Sequence, residues 1–255
     1  MRYISILILL FTLSACSNIG RKGEYEFIAH AAGAIDGKTY TNSLEALNNA
    51  VEKGYRYIEL DFIFTADSVL VAAHSWEKFN EITGCSHLGD TAPALADFLS
   101  RRIYSTYTPI TAADAQRFFL AHDSLFLVAD KISDAKVLNR YFSLIKNRTV
   151  VEAFSYADYQ QLLDEGYFRV LYSCMASDVT YSFIKHLVLH KLFPGKKIEW
   201  VALHTSVYEK LSFKIVDALS DYKAALFTVN DTTDIPVDFK QRVYMIYTDS
   251  IRPGK

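Results

Sequence analysis

Two acidic residues set two positions apart, Glu59 and Asp61, are the strongest chemical feature of this sequence. They stand in the segment YIELDFIF, residues 57–64, whose β-branched and aromatic residues predict a strand. Because side chains alternate along a strand, both carboxylates point to the same side. Two buried negative charges need a cation or a shared proton, so the pair predicts a divalent-metal site. A solvent-facing acidic pair is the alternative, which the flanking His30 and His74 make less plausible.

Short apolar runs alternate with helical patterns along most of the chain. The helical patterns cover residues 44–54, 111–122, 135–146, 156–165, 180–192 and part of 208–222, and Ser43 is a good cap for the first of them. The apolar runs predict strands at 26–29, 57–64, 68–73, 125–129, 149–154, 168–173, 200–203, 224–229 and 243–247. About eight strand–helix units in one domain favour a (β/α)8 barrel, an α/β fold, over an open sheet.

Polar residues recur where these predicted strands end. In a (β/α)8 barrel the carboxyl ends of the strands form one face, where residues remote in sequence meet. Unrelated polar residues would not all fall at the carboxyl ends of strands by chance. We therefore expect the following residues to share one site: His30, Glu59, Asp61, His74, Asp130, Lys131, His204, Asn230 and Asp249.

The N-terminus predicts export and a lipid anchor. Residues 1–15 have a single early charge, an apolar stretch too short to span a bilayer, and small residues at the end, as in a secretory signal. The ending Leu-Ser-Ala-Cys resembles a bacterial lipobox, in which Cys16 is acylated after cleavage; a plain signal with an incidental cysteine is the alternative. Residues 16–23 would then be a polar tether holding the protein on a membrane of the cell envelope.

Composition limits the remaining possibilities. Residues 24–255 are long enough for one well-buried domain, and no later segment is long and apolar enough to cross a bilayer. The formal net charge of −2, with both signs interspersed, shows no footprint for nucleic-acid binding. Cys85 and Cys174 can form one disulfide in an oxidising envelope, although their spacing does not require it.

Six short motifs, taken in order, resemble the glycerophosphodiester phosphodiesterase family over roughly residues 26–250. The family has His-Arg-Gly, Pro-Glu-Asn-Thr-Leu-Glu-Ala, a Glu-x-Asp strand, a strand ending in His, Trp-Thr-Val-Asn and a closing Thr-Asp. The matching segments here are IAHAAG at 28–33, TNSLEA at 41–46, YIELD at 57–61, LVAAH at 70–74, FTVN at 227–230 and IYTD at 246–249.

This resemblance implies a metal-dependent barrel that hydrolyses small phosphodiesters. The family's general acid and base fall on His30 and His74, and its metal ligands on Glu59 and Asp61. Hard carboxylates suit one Ca²⁺ or Mg²⁺ better than Zn²⁺, and imidazoles can carry protons near neutral pH. The implied chemistry is attack by a neighbouring substrate hydroxyl, followed by opening of the cyclic phosphate. His204 is an expected substrate contact, with a structural role as the alternative.

Three departures from the family pattern stand out. Ala31 replaces the family's Arg, a phosphate contact, and Thr41 replaces its Glu. On the fourth strand the family's Glu-x-Lys, which supplies a ligand and a phosphate-binding Lys, becomes Val-Ala-Asp-Lys. If Lys131 keeps its register the ligand is lost; if Asp130 takes the ligand position, a one-residue shift or bulge is needed. We favour Asp130 as third ligand and Lys131 as a phosphate contact.

An irregular polar insertion is expected at about residues 75–107. Its aromatic residues either cover the substrate or fold the insertion onto the barrel. The favoured function is hydrolysis of glycerophosphodiesters or related lipid-derived phosphodiesters. A non-catalytic lipoprotein that binds phosphorylated ligands on a degenerate barrel is the alternative, and a phospholipase acting on intact lipid is a third hypothesis.

Overall fold

A computed structural model of the 255-residue chain describes residues 25–174, 198–208, 222–235 and 239–254. Within these ranges eight strands pair in parallel and close into a barrel, because β1 pairs with both β2 and β9. The strands are β1 (Glu26–Ala29), β2 (Tyr57–Phe64), β3 (Leu70–Ala72), β4 (Phe126–Asp130), β5 (Thr149–Ala153), β6 (Arg169–Cys174), β7 (Trp200–His204), β8 (Lys223–Phe227) and β9 (Val243–Thr248). The expectation of a single-domain (β/α)8 barrel is confirmed.

Helices pack around the strands in the alternation that the sequence predicts. The α-helices of the described residues are α1 (Leu44–Glu52), α2 (Trp76–Ile82), α3 (Leu95–Ser100), α4 (Ala112–Ala121), α5 (Ala135–Phe142), α6 (Tyr156–Asp164) and α7 (Thr205–Tyr208). Ser43 caps α1 by accepting a hydrogen bond from the Ala46 amide, as expected. No helix in the described ranges is long and apolar enough to span a bilayer.

The barrel strands divide their side chains between two buried clusters. One cluster contains strand residues together with helix residues such as Leu47, Phe119 and Leu138, so it lies between the sheet and the helices. The other consists of strand residues, with three partly buried aromatic strand residues against it, and fills the barrel interior: Ile28, Tyr57, Val128, Val150, Leu171, Ala202, Ala225, Met245 and Tyr247. Side chains two positions further along each strand point to the same interior, towards the barrel mouth.

The expectation of an irregular insertion is wrong in its details. Residues 75–107 contain α2 and α3, and their apolar side chains form a third buried cluster with Val71 and Ala73 of the β3 region. Trp76, Phe79 and Tyr107 lie in this cluster and are at most 9% exposed. These aromatic residues therefore fold the insertion onto the barrel instead of covering a substrate.

Several expectations lie outside the described residues: the signal segment, the tether with Cys16, the helix at 180–192 and most of the helix at 208–222. Cys85 and Cys174 are both described, and neither is part of a disulfide bond. The disulfide considered from the sequence is therefore not formed in this structure.

Candidate active site

Three carboxylates meet at the mouth of the barrel. Glu59 and Asp61 extend from β2 and are each 1% exposed, and Asp130 ends the neighbouring strand β4. One carboxylate oxygen of each residue lies within 4.8 Å of the other two. Pairing of β2 with β4 sets Asp61 directly beside Asp130, which brings together residues separated by a long stretch of sequence.

Hydrogen bonds orient the two β2 carboxylates. The Ala31 amide donates to Glu59 Oε2 at 2.5 Å, and Asn42 Nδ2 donates to Asp61 Oδ2 at 2.9 Å. The Asp61 amide in turn donates to Asn42 Oδ1 at 3.1 Å, so both the nitrogen and the oxygen of the Asn42 side chain are hydrogen-bonded to Asp61. Glu59 Oε1 is buried and has no hydrogen-bond partner among the described residues.

This cluster fits a divalent cation. Burial, followed by the charges of Asp61 and Asp130, raises the pKa of Glu59 well above its ordinary value. Burial, followed by the charges of Glu152 and Asp61, likewise raises the pKa of Asp130. The unpaired oxygen of Glu59 and two further hard oxygen donors are ligands of the type that Ca²⁺ or Mg²⁺ prefers, and such an ion would compensate the repulsion.

The position of Asp130 corrects an expectation from the sequence. Strands β2 and β4 pair residue for residue from Tyr57 to Asp61, so no bulge or shift is needed. Val128 lies in the barrel interior and Ala129 in the outer cluster, which makes Asp130 an inward position by simple alternation. The backbone changes direction only at Lys131, where φ is +62°. Lys131 Nζ then lies 3.7 Å from Asp61 Oδ1.

Glu152 is a fourth acidic residue in the barrel interior, and the sequence analysis missed it. It lies on β5 two positions after the interior residue Val150, is 4% exposed, and accepts a hydrogen bond from the Tyr247 hydroxyl. Burial raises the pKa of Glu152, although hydrogen bonds from Tyr247 and Ser173 oppose this. An acidic residue at an alternate position of an otherwise apolar strand is the same signal that identified Glu59.

His30 is held by residues from the last two strand ends. Its Nδ1 lies 2.9 Å from Asp249 Oδ1, and Asn230 Nδ2 donates to Asp249 Oδ2 at 3.0 Å. Burial alone would raise the pKa of Asp249, but hydrogen bonds from His30 and Asn230 lower it. Asp249 is therefore a carboxylate that fixes the orientation of the imidazole and leaves Nε2 available to a ligand.

His74 reaches the mouth by a route that the sequence did not predict. Strand β3 is antiparallel to β2 and lies outside the barrel, pairing with the part of β2 that continues beyond the mouth. The chain therefore returns to the level of Asp61, whose carbonyl accepts a hydrogen bond from the Ala73 amide at 2.9 Å. Burial, together with the charges of Lys131, His30 and Lys78, lowers the pKa of His74 despite the opposing charge of Asp61.

Two further residues at this end of the barrel are Tyr40 and His204. The ring of Tyr40, which was not predicted, lies against both imidazoles. His204 is exposed at the end of β7, where its Nδ1 is 2.7 Å from Ser206 Oγ and its ring lies against Phe227. The structure thus brings His30, His74 and the acidic residues into one site, whereas the roles of these residues stay predictions.

Comparison with known proteins identifies the family. Residues 33–163, just over half of the chain, match the model of the "Glycerophosphoryl diester phosphodiesterase family". The chain belongs to this family. It is accordingly a phosphoric diester hydrolase, which confirms the resemblance seen in the sequence motifs. No curated protein sequence matches the chain significantly.

Several solved structures of glycerophosphodiester phosphodiesterases and related enzymes share the fold. A putative enzyme from Silicibacter pomeroyi is 17% identical, with a TM-score of 0.66 and coverage of 92% of both chains. An Oleispira antarctica phosphodiesterase, in complex with its product sn-glycerol-3-phosphate, is 18% identical, with a TM-score of 0.61 and coverage of 89% of this chain and 93% of that one. The Thermotoga maritima enzyme is 14% identical, with a TM-score of 0.64 and coverage of 89% and 95%.

Proposed function

We propose that this family member hydrolyses glycerophosphodiesters or related lipid-derived phosphodiesters, using one divalent cation, Ca²⁺ or Mg²⁺, and two histidines as proton carriers. The convergence of His30 and His74 on a buried acidic cluster at one barrel mouth supports this proposal most directly. Glu59, Asp61 and Asp130 would hold the cation, which when bound supplies positive charge for the phosphoryl oxygens.

The two histidines divide the proton transfers. Because its pKa is lowered, His74 is neutral at neutral pH and is equipped to accept a proton from an attacking hydroxyl. His30, whose Nδ1 is held by Asp249, presents Nε2 to the leaving alkoxide and supplies the other transfer. Substrates with a hydroxyl next to the phosphate would react through a cyclic phosphate, after which water opens the ring and the histidines exchange roles.

Two further residues are assigned to the substrate. Lys131 lies at the edge of the acidic cluster and is exposed, so its ammonium group can reach a phosphoryl oxygen. His204 stands at the same end of the barrel on β7 and is also exposed. We propose both as contacts to a small phosphodiester.

We further propose that residues 24–255 form the folded enzyme and that acylated Cys16 anchors it to a membrane of the cell envelope after export. This proposal is supported by the N-terminal sequence pattern. Such an anchor would keep the active site close to membrane lipids and to the soluble diesters released from them.

The direct test is hydrolysis of glycerophosphocholine, glycerophosphoethanolamine, glycerophosphoglycerol and an intact phospholipid, with Ca²⁺ or Mg²⁺ and with a chelator. We expect the soluble diesters to be cleaved, and the chelator to abolish turnover. His30→Ala and Glu59→Ala should each lower kcat by about 10²-fold or more, since each removes a proton carrier or a metal ligand.

Matched controls are His87→Ala and Glu52→Ala, because both residues are exposed and lie away from the acidic cluster. Both controls should keep wild-type rates. Turnover that survives in His30→Ala and Glu59→Ala would refute the assignment. Phosphate binding without hydrolysis at any metal concentration would instead indicate a binding protein.

A further inference from the structure

One aromatic side chain touches both of the histidines. The Tyr40 ring centroid lies 5.0 Å from that of His30 and 4.7 Å from that of His74. The ring planes are inclined by 80° and 69°, so both contacts are edge-to-face. Tyr40 therefore lies beside both proton carriers, next to the place where a reacting phosphate must lie.

The Tyr40 hydroxyl is left for a ligand. It makes no hydrogen bond to any residue that the structure describes, although a phenol that enters a partly buried site usually has a partner. The side chain also borders a cavity of about 300 Å³, which is lined by Tyr40, His74, Ser75, Glu77, Lys78 and Glu81. A molecule that enters through this cavity meets Tyr40 and His74 together.

The backbone holds Tyr40 in place at a conformational cost. Its φ is +58°, in the left-handed region that non-glycine residues rarely adopt, and φ of Asn42 is +46°. Asn42 is fixed by its two hydrogen bonds with Asp61, so the strained turn is tied to the acidic cluster. A bulky residue in such a conformation next to reacting groups points to a functional role.

The site needs hydrogen-bond donors that carry no negative charge. Ala31 stands next to His30 with a side chain that offers no donor, and the mouth carries the carboxylates of Glu59, Asp61 and Asp130. Burial, followed by the charges of Asp249, Asp61 and Glu59, raises the pKa of Tyr40, which keeps its phenol protonated. A neutral hydroxyl at this position can donate to an anionic oxygen without adding to the repulsion.

We infer that Tyr40 is a substrate-binding residue whose hydroxyl donates a hydrogen bond to a non-bridging oxygen of the phosphodiester that the two imidazoles act on. Its ring simultaneously sets the distance between His30 and His74. This inference rests on the proposed function, because it concerns the same reacting phosphate.

Tyr40→Phe isolates the hydroxyl, since phenylalanine keeps the ring contacts to both imidazoles. We expect kcat/KM for glycerophosphodiesters to fall by about 10- to 100-fold, the loss typical of a hydrogen bond to a charged group. The apparent affinity for inorganic phosphate, measured as competitive inhibition, should weaken in the same direction. The melting temperature should stay at the wild-type value, because no hydrogen bond of the folded protein is lost.

Tyr244→Phe is the matched control. Tyr244 is 42% exposed and lies near the start of β9, at the opposite end of the barrel, so its loss of a hydroxyl should leave kcat/KM unchanged. A phosphorothioate diester adds a second readout. Sulfur accepts hydrogen bonds poorly. Replacing the oxygen diester by one of its phosphorothioate diastereomers should therefore lower kcat/KM more for the wild type than for Tyr40→Phe.

Wild-type kcat/KM and wild-type phosphate inhibition in Tyr40→Phe would overturn the inference. If the wild type hydrolyses none of the diesters, the proposed function fails independently, and direct titration of phosphate by calorimetry then decides the role of Tyr40. In that case equal phosphate affinity of the wild type and Tyr40→Phe refutes the inference, and weaker binding by Tyr40→Phe supports it.

Discussion

Replacement of Glu59 by glutamine should have opposite effects with and without a divalent cation. Burial and two neighbouring carboxylates raise the pKa of Glu59 above its ordinary value of 4.5. Well below pH 4.5 the Glu59 carboxyl is protonated in both the folded and unfolded states, so its raised pKa does not lower the free energy of unfolding there. As pH rises towards the folded pKa, the unfolded state ionises first and the metal-free protein loses stability. Each unit of raised pKa costs the folded state about 1.4 kcal/mol at a pH above both values.

Glutamine imitates the protonated carboxyl. It can keep an oxygen for the Ala31 amide and present an NH₂ group to the neighbouring carboxylates. Metal-free Glu59→Gln should therefore be more stable than metal-free wild type at pH 7–8, with the two converging near pH 4. With the cation at about 100 times its Kd, the wild type should gain about 2.7 kcal/mol, or about 5–10 °C in Tm, whereas the variant gains far less.

Thermal unfolding of both proteins, with chelator and with Ca²⁺ or Mg²⁺ at several pH values, measures these effects. Glu52→Gln provides the control, because Glu52 is exposed on α1 and should change neither the metal-free Tm nor the metal-induced shift. The reasoning is refuted if Glu59→Gln melts below the wild type in chelator at pH 8. It is also refuted if the variant keeps the full metal-induced increase.

Two further predictions concern the histidines. Asp249→Asn should lower kcat by about 10²-fold with little change in KM, because His30 loses the partner that orients it. Steady-state kinetics measures this effect, and an unchanged circular-dichroism spectrum shows that the variant is folded. An unchanged kcat would contradict the prediction. The His74 imidazole should titrate below its ordinary value of 6.5 in the metal-free protein, as NMR of the ring protons can measure, and a midpoint at or above 6.5 would contradict the burial argument.

Local sequence patterns predicted much of the fold. Strand β2 spans Tyr57–Phe64 as the run of β-branched and aromatic residues indicates, and Ser43 caps α1 as its residue type suggests. The burial of Glu59 and Asp61 on one side followed from alternation alone, since that rule depends only on the extended backbone. The same rule, applied to residues 149–153, would also have revealed Glu152.

Other features depended on partners that no local pattern names. Leu44 is an apolar residue of α1, yet it is 39% exposed because the helix turns Ala46, Leu47 and Ala50 towards the barrel. The antiparallel direction of β3 arises from pairing with the extension of β2, and this pairing carries His74 back to Asp61. Strand direction is a property of two segments together, so neither segment alone could indicate it.

The sequence by itself determined which residues could perform chemistry: two imidazoles, a pair of carboxylates in an apolar strand, and the strand–helix alternation that places them at one barrel mouth. The tertiary structure alone decided how they are held. Pairing of β2 with β4 sets Asp130 beside Asp61, the end of the last strand brings Asp249 to His30, and a left-handed turn holds Tyr40 against both imidazoles. These contacts join residues far apart in sequence, and only the packing of the whole barrel fixes their distances.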